Sequence, residues 1–244
     1  MKTFTFSALF ALGGVFITET SHGAAFQNGS FEQNGGNGST TATGWTFTLG
    51  AGNAFFALNN FEGGTNGSFA AVFNPGGGAN TGEILAQTFN TVFGTTYSVS
   101  FDFGEFSSAI NENQLLQITV RDGSNNNLIT SGSGTVLNGN GGNNSGVSIT
   151  QNTNILKIAD STSSGGVFTT AAPNKQFSTV SFNFVANAAS STIAFTDIGA
   201  NGTVANTDFI LDNVKVGVVP EPSTWVSVVT GLGLLAGFRR KRTA

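Results

Sequence analysis

The sequence contains no cysteine, so neither a disulfide nor a thiolate-bound metal holds this chain together. Its single histidine, His22, lies near the amino terminus. Together these absences exclude Ser-His-Asp and Cys-His nucleophiles, and zinc sites of imidazole or thiolate, from everything after residue 22. Charge is also scarce. Asp, Glu, Lys and Arg make up 9% of 244 residues, against ~25% in an average soluble domain. Water must therefore be met largely by amides and hydroxyls. Between Phe26 and Val219 four basic residues (Arg121, Lys157, Lys175, Lys215) face eleven acidic ones. That balance, about -7, excludes nucleic acid and anionic lipid as partners of this stretch. No Gly-x-x-x-x-Gly-Lys segment is present, so the glycines build no phosphate cradle of that kind.

What is abundant points to strands. There are 34 Gly, and 24 of the aromatic residues are Phe, with Trp45, Trp225 and Tyr97 as the remainder. Phe is enriched in strands and fills the space between stacked sheets. Tyr97, Val99, Phe101 and Phe103 alternate with polar residues, as do Ile118 and Val120, Val180, Phe182 and Phe184, and Ile193 and Phe195. This period of two predicts half-buried strands. Clusters suited to turns separate them: Asn34 to Gly38, Asn74 to Gly78, Asp122 to Asn125 and Asn138 to Gly146. The middle is expected to be all-β, a single jelly-roll β-sandwich over residues 26–217. Trp45, beside Gly44 in an apolar run, is as suited to the core as to a surface.

The two ends have different characters. Met1 and Lys2 precede an uncharged apolar run from Phe4 to Ile17, and then the small residues Gly23, Ala24 and Ala25. This three-part pattern predicts a secretory signal helix over residues 1–25, removed by signal peptidase near Ala24 or Ala25. At the other end, residues 218–244 hold Pro220-Glu221-Pro222-Ser223-Thr224, an apolar run from Trp225 to Phe238, and Arg239-Arg240-Lys241-Arg242. The run has 14 residues, about 21 Å as helix, short of a ~30 Å hydrocarbon core. It suits a transient, transmembrane-like stop better than a permanent anchor, with the basic cluster held on the cytoplasmic side.

This tail resembles the PEP-CTERM sorting signal of Gram-negative bacteria, over Val219 to Arg242. The resemblance implies recognition by an exosortase-type membrane protease or transpeptidase, cleavage near Pro-Glu-Pro, and a setting of exopolysaccharide. The expected location is the inner membrane transiently, then the cell surface or extracellular matrix. In the middle, Asn28-Gly29-Ser30-Phe31-Glu32, Gly44-Trp45, Ile84 to Phe89, Gly94 to Asp102 and Phe209 to Val216 occur in that order. This series resembles the galactose-binding-like jelly rolls, including carbohydrate-binding modules and DUF642-like domains. The resemblance implies that the opening strand meets the closing one. It also implies that Glu32 and Asp212 hold a structural calcium there, with backbone carbonyls near Asn28 or Ser30. Calcium takes six to eight hard oxygens, and such an ion would tie both ends down without cysteine. The alternative is that both acids only cap turns or accept N–H bonds.

No catalytic residue is assigned. The crowded acids are Asp102, Glu105 and Glu112, expected at a strand end and the loop after it, where acids face water. A glycosidase needs two carboxyls about 5–10 Å apart, and these supply no supporting pocket. Three functions stay open: a non-catalytic module binding extracellular polysaccharide, a purely structural surface or matrix protein, and a glycoside hydrolase. The favoured expectation is an exported surface or matrix protein, not an enzyme, that associates with polysaccharide.

Overall fold

The computed structural model describes residues 24–58, 65–73, 81–107, 114–140, 147–160, 177–200 and 207–220. The apolar amino-terminal run and the tail from Glu221 through Thr224 to Arg239, Arg240, Lys241 and Arg242 lie outside them, as do Glu112 and the turn expected at Asn74 to Gly78. The described residues contain no α-helix. They form thirteen strands: β1 (Thr41–Ala42), β2 (Trp45–Thr48), β3 (Ala54–Leu58), β4 (Phe69–Phe73), β5 (Ile84–Asn90), β6 (Thr96–Ser107), β7 (Gln114–Arg121), β8 (Thr135–Asn140), β9 (Val147–Asn152), β10 (Ile155–Asp160), β11 (Phe177–Val185), β12 (Ser190–Ala200) and β13 (Thr207–Val218).

Two antiparallel sheets stack. One runs β1-β2-β5-β12-β7-β10-β9 and the other β3-β4-β13-β6-β11-β8. From β5 to β8, and again from β10 to β13, the chain changes sheet at every step. It thereby wraps a jelly-roll sandwich as the alternation predicts. All the residues named above for that alternation are buried. They share the inter-sheet layer with a chain of rings. Phe47 of β2 meets Phe56 and Phe73 of β3 and β4 at 5.1 and 5.3 Å, and Phe195 of β12 meets Phe101 of β6 at 5.1 Å. Phe89 of β5 meets Phe184 of β11 at 6.3 Å, and Phe184 stacks on Tyr97 at 5.1 Å. Most of these are tilted or edge-on, the arrangements that the ring quadrupole favours.

Trp45 is a core residue, 2% exposed, and its indole N–H donates to Asn28 O at 2.9 Å. The opening motif is a tight turn and not a strand: Phe31 N donates to Asn28 O, and Asn28 and Phe31 both have positive φ. It still meets the closing strand, where Val214 N donates to Gly29 O at 2.8 Å. A Cβ on Gly29 would overlap Val214 O, so only glycine allows this approach. Of the turn expected over Asn138 to Gly146, Asn138 to Asn140 instead end β8, and the rest lies outside the described residues. The sandwich is fastened beside the β5–β6 turn by residues that flank it on both sides: Asn90 N donates to Ala24 O, and Val219 N to Thr96 O.

Candidate functional site

The closing strand carries the most unusual group. Asp212 of β13 is directly opposite Asp102 of β6, and both are buried. In strand alternation they fall opposite Phe101, Phe103 and Leu211, whose side chains enter the core, so the acids occupy the outer face of the six-stranded sheet. Cross-strand partners on one face approach within about 4.5–5.5 Å at Cβ, so the pair needs donors. Thr65 Oγ1 donates to Asp102 Oδ2 at 2.5 Å and lies 3.3 Å from Asp212 Oδ2. Asn213 Nδ2 donates to Asp102 Oδ2 at 3.0 Å and Thr179 Oγ1 to Asp102 Oδ1 at 2.6 Å. Asp212 accepts from Asn66 N at 2.7 Å and Asn213 N at 2.6 Å. Asn213 takes a φ of 55° where the β13–β6 register shifts, which turns its amide toward the pair. Burial nevertheless dominates and pushes the Asp212 carboxyl up to about 7; the N–H donors of Asn66 and Asn213 oppose it, and the Asp102 charge adds to it.

Glu32 reaches the same short segment from the other side. Its Oε1 accepts from Ser68 N at 2.7 Å and Phe69 N at 2.8 Å, over Gly67, whose φ is 98°. A side chain at Gly67 would collide with the Glu32 carboxylate. Residues 65–69 are therefore gripped at one end by Asp212 and Asp102 and at the other by Glu32. Glu32 and Asp212 thus hold opposite ends of one short loop through hydrogen bonds. In sequence, Thr65, Asn66 and Thr179 give no sign of this role: the β6–β11 register brings Thr179 to Asp102, and the segment before β4 brings Thr65 and Asn66. The donor chemistry, carboxylates and a hydroxyl, fits a hard cation such as calcium. Among the described residues no three acids or histidines cluster. Asn28 O, expected near the ion, accepts from Trp45 Nε1 and Phe31 N.

Asp102 and Glu105 both lie within β6, so the expected strand end is corrected, and Asp102 is buried in hydrogen bonds instead of facing water. Asp122 is a turn acid. Its carboxylate accepts from Asn126 Nδ2 at 2.8 Å, Asn126 N at 2.8 Å, Asn187 Nδ2 at 2.8 Å and Ser124 N at 2.9 Å, which together hold it down at about 2.

The outer face of the seven-stranded sheet has a different surface. Across β2, β5, β12 and β7, Thr48, Ile84, Thr196 and Gln117 form one row, and Thr88, Thr192 and Arg121 another. Thr46, Thr48 and Thr88 are exposed, and Thr88 Oγ1 lies 2.7 Å from Thr192 Oγ1. The large exposed aromatic among the described residues is Phe93, at the β5–β6 turn.

No family model and no curated protein matches this chain. Solved structures do. A CBM4 carbohydrate-binding module is 13% identical, covering 79% of this chain and 99% of its own, with a TM-score of 0.43. A sugar-binding protein from Bacteroides thetaiotaomicron is 10% identical over 81% of this chain and all of its own, at 0.46. A CBM28 module specific for non-crystalline cellulose is 15% identical over 81% and 97%, at 0.41. The sandwich assignment rests on the strand pairing itself.

Proposed function

We propose that this is an exported surface or matrix protein, not an enzyme, whose sandwich associates with extracellular polysaccharide. The observation that carries the proposal is the hydroxyl-bearing outer face of the seven-stranded sheet, where Thr46, Thr48 and Thr88 are exposed and Thr88 pairs with Thr192. Such a face exchanges hydrogen bonds with a neutral hydrated polymer at little desolvation cost, and the sparse charge of the chain agrees with it. Export by signal peptidase and processing by an exosortase belong to the same proposal. They are supported by the tripartite amino end and by Pro220, two residues beyond the end of β13. A calcium ion held by Glu32 and Asp212 also belongs here. Bound, it would supply charge compensation and tie the loop at 65–69 to both the opening turn and β13.

One observation favours the alternative of a purely structural role. Trp45 and Tyr97 are both in the core, so neither offers a ring for a sugar to stack on. Native chain recovered from the host's extracellular fraction separates the readings. Its intact mass should show loss of the amino-terminal signal and of the tail beyond the Pro-Glu-Pro region. It should be retained on the host's own polysaccharide, and Thr88→Glu with Thr192→Glu should abolish retention. Retention unchanged by that variant overturns this sheet face as the site; no retention of the native chain leaves the structural role.

A further inference from the structure

Exposed apolar side chains gather at one end of the sandwich. Among the described residues the three most exposed large ones are Phe93, Val92 and Val218, at 76%, 65% and 59%. Val92 and Phe93 lie in the β5–β6 turn, and Val218 ends β13 opposite Tyr97 near the start of β6. Val185, also exposed, ends β11 opposite Thr96. Exposed Leu49 follows β2 at the far end, where Thr48 pairs with Ile84 at the start of β5.

The β5–β6 turn is tied down on both sides. Thr95 N donates to Val92 O, and Gly94 takes a φ of 77°, which glycine meets without strain. Val92 N donates to Tyr97 Oη, Gly94 N to Ala186 O and Thr91 Oγ1 to Ala188 O. Phe93 is thus held out to water by a fixed turn. Residues 90–96, 185–190 and 218–220 carry no charge. Arg121 and Asp122 also reach this end, where asparagine side chains engage both.

The course of the chain supplies an occupant for this tip. Ala24 and Val219 are both bonded beside it. Trp225, which opens the apolar run of the tail, follows Pro220 by five residues, at most about 18 Å of extended chain. A tail that enters a bilayer therefore keeps the Phe93 end of the sandwich against it. Scattered apolar side chains need no explanation, but a fixed, uncharged apolar tip beside such a tail has one.

We propose that this tip is a membrane-docking surface, with Val92, Phe93 and Val218 seated in the headgroup boundary of a zwitterionic bilayer. The inference rests on the proposed sorting tail and deepens it: docking end-on holds Pro220 at the membrane surface, where a membrane protease acts. The attachment is apolar, so salt leaves it in place.

The chain has no cysteine, so one introduced thiol can carry a polarity-sensitive nitrobenzoxadiazole label. Val92→Cys and Leu49→Cys, both at exposed positions, are labelled in the full chain, mixed with phosphatidylcholine vesicles and floated. The chain should float, with the label at position 92 brightened and shielded from iodide and the label at position 49 unchanged. Adding Phe93→Asp should remove the shielding while the chain still floats. A floating chain with both labels equally wet overturns the docking surface while the tail still holds the membrane. A chain that stays behind shows that the tail does not enter the bilayer, and the inference falls with it. Shielding at position 92 before vesicles are added means that a second copy covers the tip, which also overturns the proposal.

Discussion

The two buried acid pairs of this protein are kept in contrasting ways. Asp102 and Asp212 lie on the outer face of one sheet, and hydroxyls, amides and backbone N–H groups converge on them. Glu83 and Asp197 fall in the buried sets of their strands with Leu85, Phe89, Ile193 and Phe195, where Glu83 accepts from Gly52 N, Asp197 accepts from Gly199 N, and Glu83 Oε2 is buried without a hydrogen-bond partner. Burial is nearly equal, so the number of donors supplied by the surroundings makes the difference. A loop can bring donors to an outer face, as residues 65–66 do. An inter-sheet layer built from phenylalanine offers few donors, and Glu83 keeps one oxygen without any.

The largest effect that sharpens this contrast is pH. The folded Asp212 titrates near 7, above its ordinary 3.8. Its stabilising balance is therefore full below pH 4 and is lost as pH rises to about 7, because the unfolded chain ionises freely there and the folded chain resists. The loss is on the order of 4 kcal/mol. In chelator, urea unfolding at pH 5 and pH 8 should show this decline in the native chain and a much flatter profile in Asp212→Asn. Equal slopes in the two proteins would mean that the donors around Asp212 already outweigh its desolvation. Calcium added at pH 8 should restore stability to the native chain alone if Asp212 binds it.

A smaller effect tests the donors themselves. Thr65→Val removes the hydroxyl that bonds Asp102 and sits beside Asp212. Stranding an acceptor in a buried place costs about 1–3 kcal/mol. Thr65→Ser keeps the hydroxyl and should recover most of that loss. A Val variant as stable as the Ser variant would show that Asn213 and Thr179 suffice for Asp102, and that the loop at residues 65–69 is held from the Glu32 side.

These outcomes depend on features that the sequence reveals unevenly. The alternation of Tyr97, Val99, Phe101 and Phe103 places four side chains in the core with no knowledge of partners, because a strand's period is local. The same alternation places Glu83 on the inward set with Leu85 and Phe89, a legible signal that a search for exposed acid clusters passes over. By contrast, Asp102 meets Asp212 through a register 110 residues apart in sequence, and Thr65 reaches both from a loop whose path no local pattern dictates. The opening motif was legible as a meeting place with β13. Its form as a turn was not, since Asn28 and Phe31 take positive φ values that no local pattern signals.

The smallest effect comes from an acid that shows what access to water does to the same chemistry. Asp122 accepts four hydrogen bonds from Asn126, Asn187 and Ser124, more than Asp212, and titrates near 2 instead of 7. Donors lower a carboxyl when water is near, and burial overrides them when it is not. The stability it contributes is present above its ordinary 3.8 and lost as pH falls toward 2, the reverse of Asp212. Asp122→Ala should speed amide exchange at Ser124 and Asn126, which lose their acceptor, while the global melt at pH 7 barely moves. A large fall in that melt would show that the β7 turn, through Asn187, also braces the loop before β12.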